Sequence, residues 1–577
     1  MTRRNASPAS EPGVEEVPSA SRHPPGRRLV DAGVILAVLA SAVVILLVGY
    51  PLFWLFGGPS IEAGRVQLGY FLTVLAEREY AEALLNSVVA GAGAMLLSVL
   101  IGVPLAYFVA RTDLPVAGLV RNLTVASFVT PSYLRAFAYV VLLGPNAGLI
   151  NRALVTIFGL QEAPFNIYTM AGLIFVAALE GVPLVFLTAS AGLGSMDGNL
   201  ENAARVLGAG GRKVTATITL PLIRPAIGAG ALLAFIATLS LYGAPSILGV
   251  RVVPTEIRGL LGFPPQFDLA AGLALYLMGL SLVGLFAYRR FLRGQSAYAT
   301  VTGRWTPADE VALGPWKGPV LAFCLLYLLL AVGLPYAVLG FSSVTKAVGV
   351  GLQAGNLTWD HYRFVFTDSL SLRSLRNSLV LALGAAGLGT ILGVVVAYIE
   401  VRAEGFRSRV LLDYIAMLPF GMPSIVLAVG LILAFIRPPL VLYGTLWILL
   451  LAYLVKFLPL AVRTCGASLR QVDPSLEEAS RIVGASRLRT FWRITVPLVW
   501  RGAVAASFLI FIPSFQELGA SILLAGPTTE TVAFAMITAW GGMSLEVTCT
   551  LGVITLLITV GLFSLLQGPL RLSRERI

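Results

Sequence analysis

The stretch Leu200-Glu-Asn-Ala-Ala-Arg-Val-Leu-Gly208, continued by Ile218-Thr-Leu-Pro221, occurs a second time as Leu476-Glu-Glu-Ala-Ser-Arg-Ile-Val-Gly484, continued by Ile494-Thr-Val-Pro497. The copies superpose without a gap at an offset of 276 residues, and Glu201, Ala203, Arg205, Gly208, Thr219 and Pro221 are among the positions that meet an identical residue. The local chemistry predicts helix, turn, helix. Asp473 suits the cap, Pro474 the first helical position, and Gly484 the left-handed position after the last turn. Ala203 and Ala204, like Ala479 and Ser480, form a small-residue face that another surface can approach closely. Basic residues surround it: Arg205, Arg212 and Lys213, then Arg481, Arg487, Arg489 and Arg493. Each copy sits between long apolar segments, so it reads as a polar plug that docks a soluble partner.

The surrounding composition is that of a polytopic membrane protein. Of 577 residues, 57% are hydrophobic and 12% charged, and the mean hydropathy is +0.85. The net charge of +12 reads as basic loops on the cytoplasmic side, not as a nucleic-acid surface. Cys324, Cys465 and Cys549 lie in or beside apolar segments and suggest neither a disulfide framework nor a metal site. His23 and His361 are the only histidines. No catalytic nucleophile-and-base set is visible, so no cofactor or metal is expected in this chain. Gly208-Ala-Gly-Gly-Arg-Lys213 lacks the Gly-Lys-Ser/Thr ending of a phosphate loop and does not follow a strand.

Residues 1–30, rich in Pro, Ser, Glu and Arg, read as a disordered cytoplasmic tail. Twelve apolar spans are predicted: 33–56, 85–110, 122–143, 167–191, 225–248 and 268–290, then 318–340, 377–400, 411–436, 441–463, 502–525 and 547–569. Helices are the reasonable choice, because backbone groups in lipid must be satisfied internally. With both termini cytoplasmic, 29 of the 41 Lys and Arg fall on the inner side and ten on the outer, with Arg135 and Lys456 inside spans. That asymmetry supports this orientation, which also places both plugs inside.

The duplication extends beyond the plugs. Asn86-Ser87 through Arg111 matches Asn377-Ser378 through Arg402 at offset 291, and Gly243-Ala244 matches Gly519-Ala520 at offset 276. About 15 extra residues in the first half are therefore expected near 143–166, around Gly148-Leu-Ile-Asn151. The expected organisation is a first unit (31–292, plug at about 196–222), a cytoplasmic linker (293–317) and a second unit (318–577, plug at about 472–498), related by a pseudo-two-fold along the membrane normal. The outer segment 341–376, with Leu357-Thr-Trp-Asp-His-Tyr362, reads either as a binding-protein contact or as a plain connection.

Charges within a membrane are costly and usually face a bundle interior or a cavity. Glu180 and Lys456 are equivalent at the 276 offset, as are Pro183 and Pro459. The two charges could pair across the central interface or snorkel separately. Arg135 could line an outer vestibule and attract anionic cargo, or reach headgroups from a helix end.

Glu-Ala-Ala, three residues, Gly, nine residues, then Ile-x-Leu-Pro resembles the "EAA loop" of ABC importer permeases, the inner-membrane components of binding-protein-dependent transport systems. The second copy matches at Glu478, Ala479, Ser480, Gly484, Ile494 and Pro497; the first has Asn202 where the family usually has Glu, with Glu201 beside it. The resemblance implies an all-α polytopic membrane protein with twelve transmembrane helices, arranged as two tandem six-helix repeats of the ABC type I importer permease fold. It implies that Glu201, Asn202, Ala203, Ala204, Gly208 and Pro221, and Glu477, Glu478, Ala479, Ser480, Gly484 and Pro497, couple the chain to two copies of a cytoplasmic ABC ATPase. A periplasmic binding protein is the implied outer partner, the bilayer is the medium, and hydrolysis belongs to the separate ATPase. Pro131-Ser-Tyr-Leu-Arg-Ala-Phe-Ala, Gly243-Ala-Pro-Ser-Ile-Leu-Gly249 and Leu469-Arg-Gln-Val-Asp-Pro-Ser-Leu-Glu-Glu-Ala479 are similar to the fused iron(III)-type permeases. The first phrase is also similar to polyamine permeases, and thiamine or phosphonate-type cargo stays open. An ion-gradient-driven secondary transporter with two direct repeats is the reading from a different class; it would need no coupling loops.

Overall fold

The computed structural model describes residues 32–62, 69–295, 310–350, 353–402, 409–542 and 544–572. The expected tail and most of the linker (296–309) lie outside the described residues. Among the described residues the chain is helical, with two isolated bridges and no strand.

Among the described residues ten helical runs are long and apolar enough to cross a membrane unbroken, and two further apolar helix pairs are sharply bent, which makes twelve if each pair is one crossing. The expected continuous spans 122–143 and 411–436 are each two half-helices. Ala117–Ser127 meets Ser132–Leu143 at 104°, and Arg409–Gly421 meets Ser424–Phe435 at 111°. The cause lies at the breaks: Pro131 and Pro423 have extended backbones, and a proline pushes the residue before it out of the helical region. Broken backbone at membrane depth is tolerated only inside protein. Accordingly, Ser132 through Leu142 and Ile425 through Ala434 are buried and form the centre of the bundle.

The expected spans 225–248 and 502–525 also need correction. Their long helices end at Leu239 and Phe515, and short helices, Gly243–Leu248 and Ser521–Leu524, follow a break. Gly243 shows why a small residue stands there. A Cβ would lie 2.6 Å from Tyr133 Cβ and 2.7 Å from Leu518 Cδ2, so only a bare backbone fits between the halves.

The two halves repeat nearly element for element. Arg78–Arg111 corresponds to Ser369–Arg402 at an offset of 291, and Ser132–Leu143 to Ser424–Phe435 at 292. Met170–Gly194 and Leu446–Arg470 then correspond at 276, as do Leu220–Leu239 and Val496–Phe515. The drop of 16 is taken up by a helix, Leu149–Phe158, present only in the first half.

The first helix of each half packs on the other half. Ala32–Glu62 lies against Arg409–Met417 and Ser424–Phe435, while the run from Lys317 to Ser343 lies against Ala117–Ser127 and Ser132–Leu143. Gly430 lets the Ala32–Glu62 helix come close: a Cβ there would meet the Pro51 carbonyl oxygen at 2.8 Å. Small residues at helix contacts are the usual means of packing in lipid, where apolar burial alone gives no preference between helix and lipid.

Candidate functional site

The quoted stretches form short helices, Gly198–Val206 and Pro474–Ile482. Asp473 caps the second as its position suggests, accepting from the Ser475 N–H at 2.9 Å; Asp197 does the same for the first, accepting from Asn199 at 3.0 Å. The Ser475 amide holds the Asp473 carboxyl below the usual carboxylate range. Gly208 and Gly484 end the helices with φ of 83° and 91°, a region glycine enters without strain.

Each helix is latched to the membrane domain by a buried carboxylate. Glu201 is 4% exposed, accepts from the Thr219 hydroxyl at 2.7 Å, and lies 3.6 Å from an Arg111 guanidinium nitrogen. Glu477 is 7% exposed, accepts from the Thr495 hydroxyl at 3.0 Å, and pairs with Arg402 at 3.3 Å. Arg402 also donates to the carbonyls of Leu469 and Val472. Arg111 and Arg402 end the long helices of the second and eighth crossings, and Thr219 and Thr495 close π-helical turns, Thr215–Thr219 and Phe491–Thr495. Pro221 and Pro497 follow those turns. A proline removes one N–H from the helical ladder, and a widened turn beside it accommodates the loss. The latch thus joins three elements of each half at one carboxylate.

The departure at Asn202 falls outside this latch. Asn202 is half-buried and its counterpart Glu478 exposed, whereas the carboxylate that pairs is the preceding one. Ala203 and Ala479 are exposed beside them; Ala204 and Ser480 are half-buried, and Ser480 shares a hydrogen bond with Thr490 at 3.0 Å.

Sequence reasoning missed the tips. Val206 and Leu207 are 87% and 88% exposed, and Ile482 and Val483 are 85% and 89% exposed. An apolar pair left in water at the same place in both copies is a surface prepared for a partner. The signal was present as the repeated Val-Leu and Ile-Val before each glycine. Arg111, Arg402, Thr219 and Thr495 were likewise visible as matched positions but were given no role.

The intramembrane charges are not brought together as one pair. Glu180 lies within electrostatic reach of Arg135. Lys456 donates to the Met422 carbonyl and feels the charge of Glu517. Arg135 is fully buried and donates to the Ser127 carbonyl. Lys456 therefore caps the Met422 carbonyl where the backbone bends, meeting the demand that backbone groups in lipid find partners, whereas the Ser127 carbonyl reached by Arg135 also accepts from the Thr130 amide at 3.1 Å.

Glu517, which sequence reasoning passed over, is buried beside Lys456 and accepts from the Ala520 and Ser521 amides and the Ser521 hydroxyl. Tyr453 shares a hydrogen bond with the same Ser521 hydroxyl at 2.6 Å, and Tyr133 of the first half donates to the Gln516 carbonyl at 3.4 Å. This polar group has no copy in the first half, where Leu241 and Ala177 stand at the positions of Glu517 and Tyr453.

Residues 98–296 and 389–568 each match the family described as "Binding-protein-dependent transport system inner membrane component". The chain belongs to this family. It is an ABC permease of the binding-protein-dependent type, a multi-pass inner-membrane protein with the permease domain twice in one chain. The "Ferric transport system permease protein FbpB" of Actinobacillus pleuropneumoniae is 28% identical over 453 residues, covering 75% of this permease and 63% of the relative, so less than two thirds of that protein is spanned. The "Fe(3+)-transport system permease protein FbpB 2" of Haemophilus influenzae is 28% identical, over 67% of this chain and 73% of that one. The "Molybdate/tungstate transport system permease protein WtpB" of Pyrococcus abyssi is also 28% identical, over 35% of this permease and 79% of its own length.

Proposed function

We propose that the permease forms the membrane pathway of an ATP-driven importer whose cargo, iron(III), is handed over by a periplasmic binding protein. The observation that carries this reading is the duplicated coupling helix, buried through Glu201 and Glu477 and bare at Val206-Leu207 and Ile482-Val483. A rigid base and an apolar tip suit a part that must pass force without slipping. Two ATPase subunits bind, one on each helix, on the cytoplasmic side, where both termini also lie. Their closure on ATP favours the outward-open bundle, and hydrolysis returns it. A ligand shifts a two-state equilibrium only by its differential affinity for the two states, so the latches must hold in both. Iron(III) is supported by the ferric relatives, which align over most of this chain.

Co-purification with a candidate ATPase, for wild type and a variant with serine at all four tip positions, tests the reading. Capture by wild type and loss in the variant is expected, with iron(III) uptake lost in parallel. Uptake that persists with no ATPase bound would point to a gradient-driven transporter.

A further inference from the structure

The helix Leu149–Phe158 has no counterpart in the second half and carries an apolar stripe turned away from the bundle. Ala153, Leu154, Ile157 and Phe158 recur at the spacing of one helix face, while Leu149 and Ile150 at the helix start pack on the core. Ile157 and Phe158 are 73% and 68% exposed. A stripe of this kind ordinarily buries itself, so something outside the chain covers it.

Its position identifies the covering material. The helix sits between two membrane crossings, after Ser132–Leu143 and before Met170–Gly194. The latter runs on to the coupling helix at its far end, so Leu149–Phe158 lies at the opposite membrane face. Asn151 fastens it to that boundary. Its amide nitrogen donates to the carbonyls of Leu143, Gly144 and Phe165, and its carbonyl accepts from the Phe165 amide at 3.1 Å. One side chain thus ties the end of one crossing, the helix start and the approach to the next crossing. Phe165 and Tyr168, also exposed, stand immediately before the Thr169 cap of that crossing, at headgroup depth, where aromatic rings are favoured. Arg152 and Thr156, adjacent to the stripe, form the polar flank, and Arg152 donates to the Gly349 carbonyl of the second half.

We propose that Leu149–Phe158 is an interfacial anchor, lying along the membrane with Ile157 and Phe158 in the boundary between headgroups and acyl chains. The first half alone is pinned to lipid in this way, and Arg152 passes that constraint to the outer loop of the second half.

Cys324, Cys465 and Cys549 are buried, so a single introduced cysteine can be labelled selectively. The full chain carrying Ile157→Cys or Thr156→Cys is spin-labelled and reconstituted in vesicles of phosphatidylethanolamine and phosphatidylglycerol. Collision with oxygen, which concentrates in lipid, is compared with collision with a water-soluble nickel chelate. The oxygen-to-nickel ratio is expected to be several-fold higher at 157 than at 156. Equal ratios, or a nickel-dominated label at 157, would overturn the proposal. So would a label at 157 that faces water in vesicles and is shielded only when a soluble partner protein is added, which would assign the stripe to that protein.

Discussion

The duplicated loop helices and the membrane centre differ in how far the two halves of the chain agree. At the loop helices the halves agree in backbone and in the residues around each carboxylate: Glu201, Thr219 and Arg111 against Glu477, Thr495 and Arg402, with a π-helical turn in each, and Arg402 alone adds hydrogen bonds to the Leu469 and Val472 carbonyls. At the centre they agree only in backbone. Bends, short helices and close-packed glycines repeat, but Arg135 and Glu180 serve the first half where Lys456, Glu517 and Tyr453 serve the second. The repeated loop surface keeps one solution in both copies, whereas the enclosed centre carries different polar groups in each half.

The largest effect expected is from Arg402→Ala. Removing one partner of a buried ion pair costs about 3–5 kcal/mol, and here two carbonyls also lose their donor. Uptake should fall below detection while the chain still inserts, and ATPase co-purification should drop. Arg111→Ala should behave alike if the two latches are equivalent; normal uptake in either variant would break the symmetry. Gly484→Asp puts a charged side chain at a φ of 91°, where glycine alone sits without strain, and should also abolish transport with insertion intact.

At the tips, serine at Val206 and Leu207 should weaken ATPase capture as much as serine at Ile482 and Val483. A tenfold difference between the two pairs would show that the faces are not equivalent. At the centre, asymmetry predicts the reverse. Glu517→Ala leaves the Ala520 and Ser521 amides without their acceptor, a loss of about 1–3 kcal/mol per buried group, and should slow uptake and lower the melting temperature. Leu241→Ala at the matched position should leave both closer to wild type.

The smallest effect concerns the clasp that joins the halves. Asp113 accepts from the Leu313 amide at 2.9 Å and pairs with Lys317 at 3.0 Å, and these contacts hold its carboxyl below the usual carboxylate range. A depressed folded pKa means the contribution is present above the unfolded value and lost as pH falls through the folded one. Protease protection of the 310–317 segment should therefore decline in acid, and Asp113→Asn should flatten that dependence.

Much of this was legible before any coordinates. The 276 offset located both coupling helices and their caps, and about 15 extra residues were expected where the 16-residue excursion with Leu149–Phe158 stands. Hydropathy counted twelve crossings but could not show that two of them bend, because apolar content is blind to direction. Pro131 and Pro423 carry that information, since each stands with extended backbone at the break. The equivalence of Glu180 and Lys456 left pairing and separate snorkelling open; in the fold Lys456 reaches the Met422 carbonyl and Glu180 lies near Arg135.

The amino-acid sequence by itself determined the class of the protein, its repeat and the place of its two duplicated loop helices, since these rest on composition and on local spacing. Only the tertiary structure decided which glutamate of each loop is buried, which carbonyl each intramembrane cation caps, and which apolar residues stay bare. Those are contacts between segments tens to hundreds of residues apart, and close approach in space leaves no mark in local spacing.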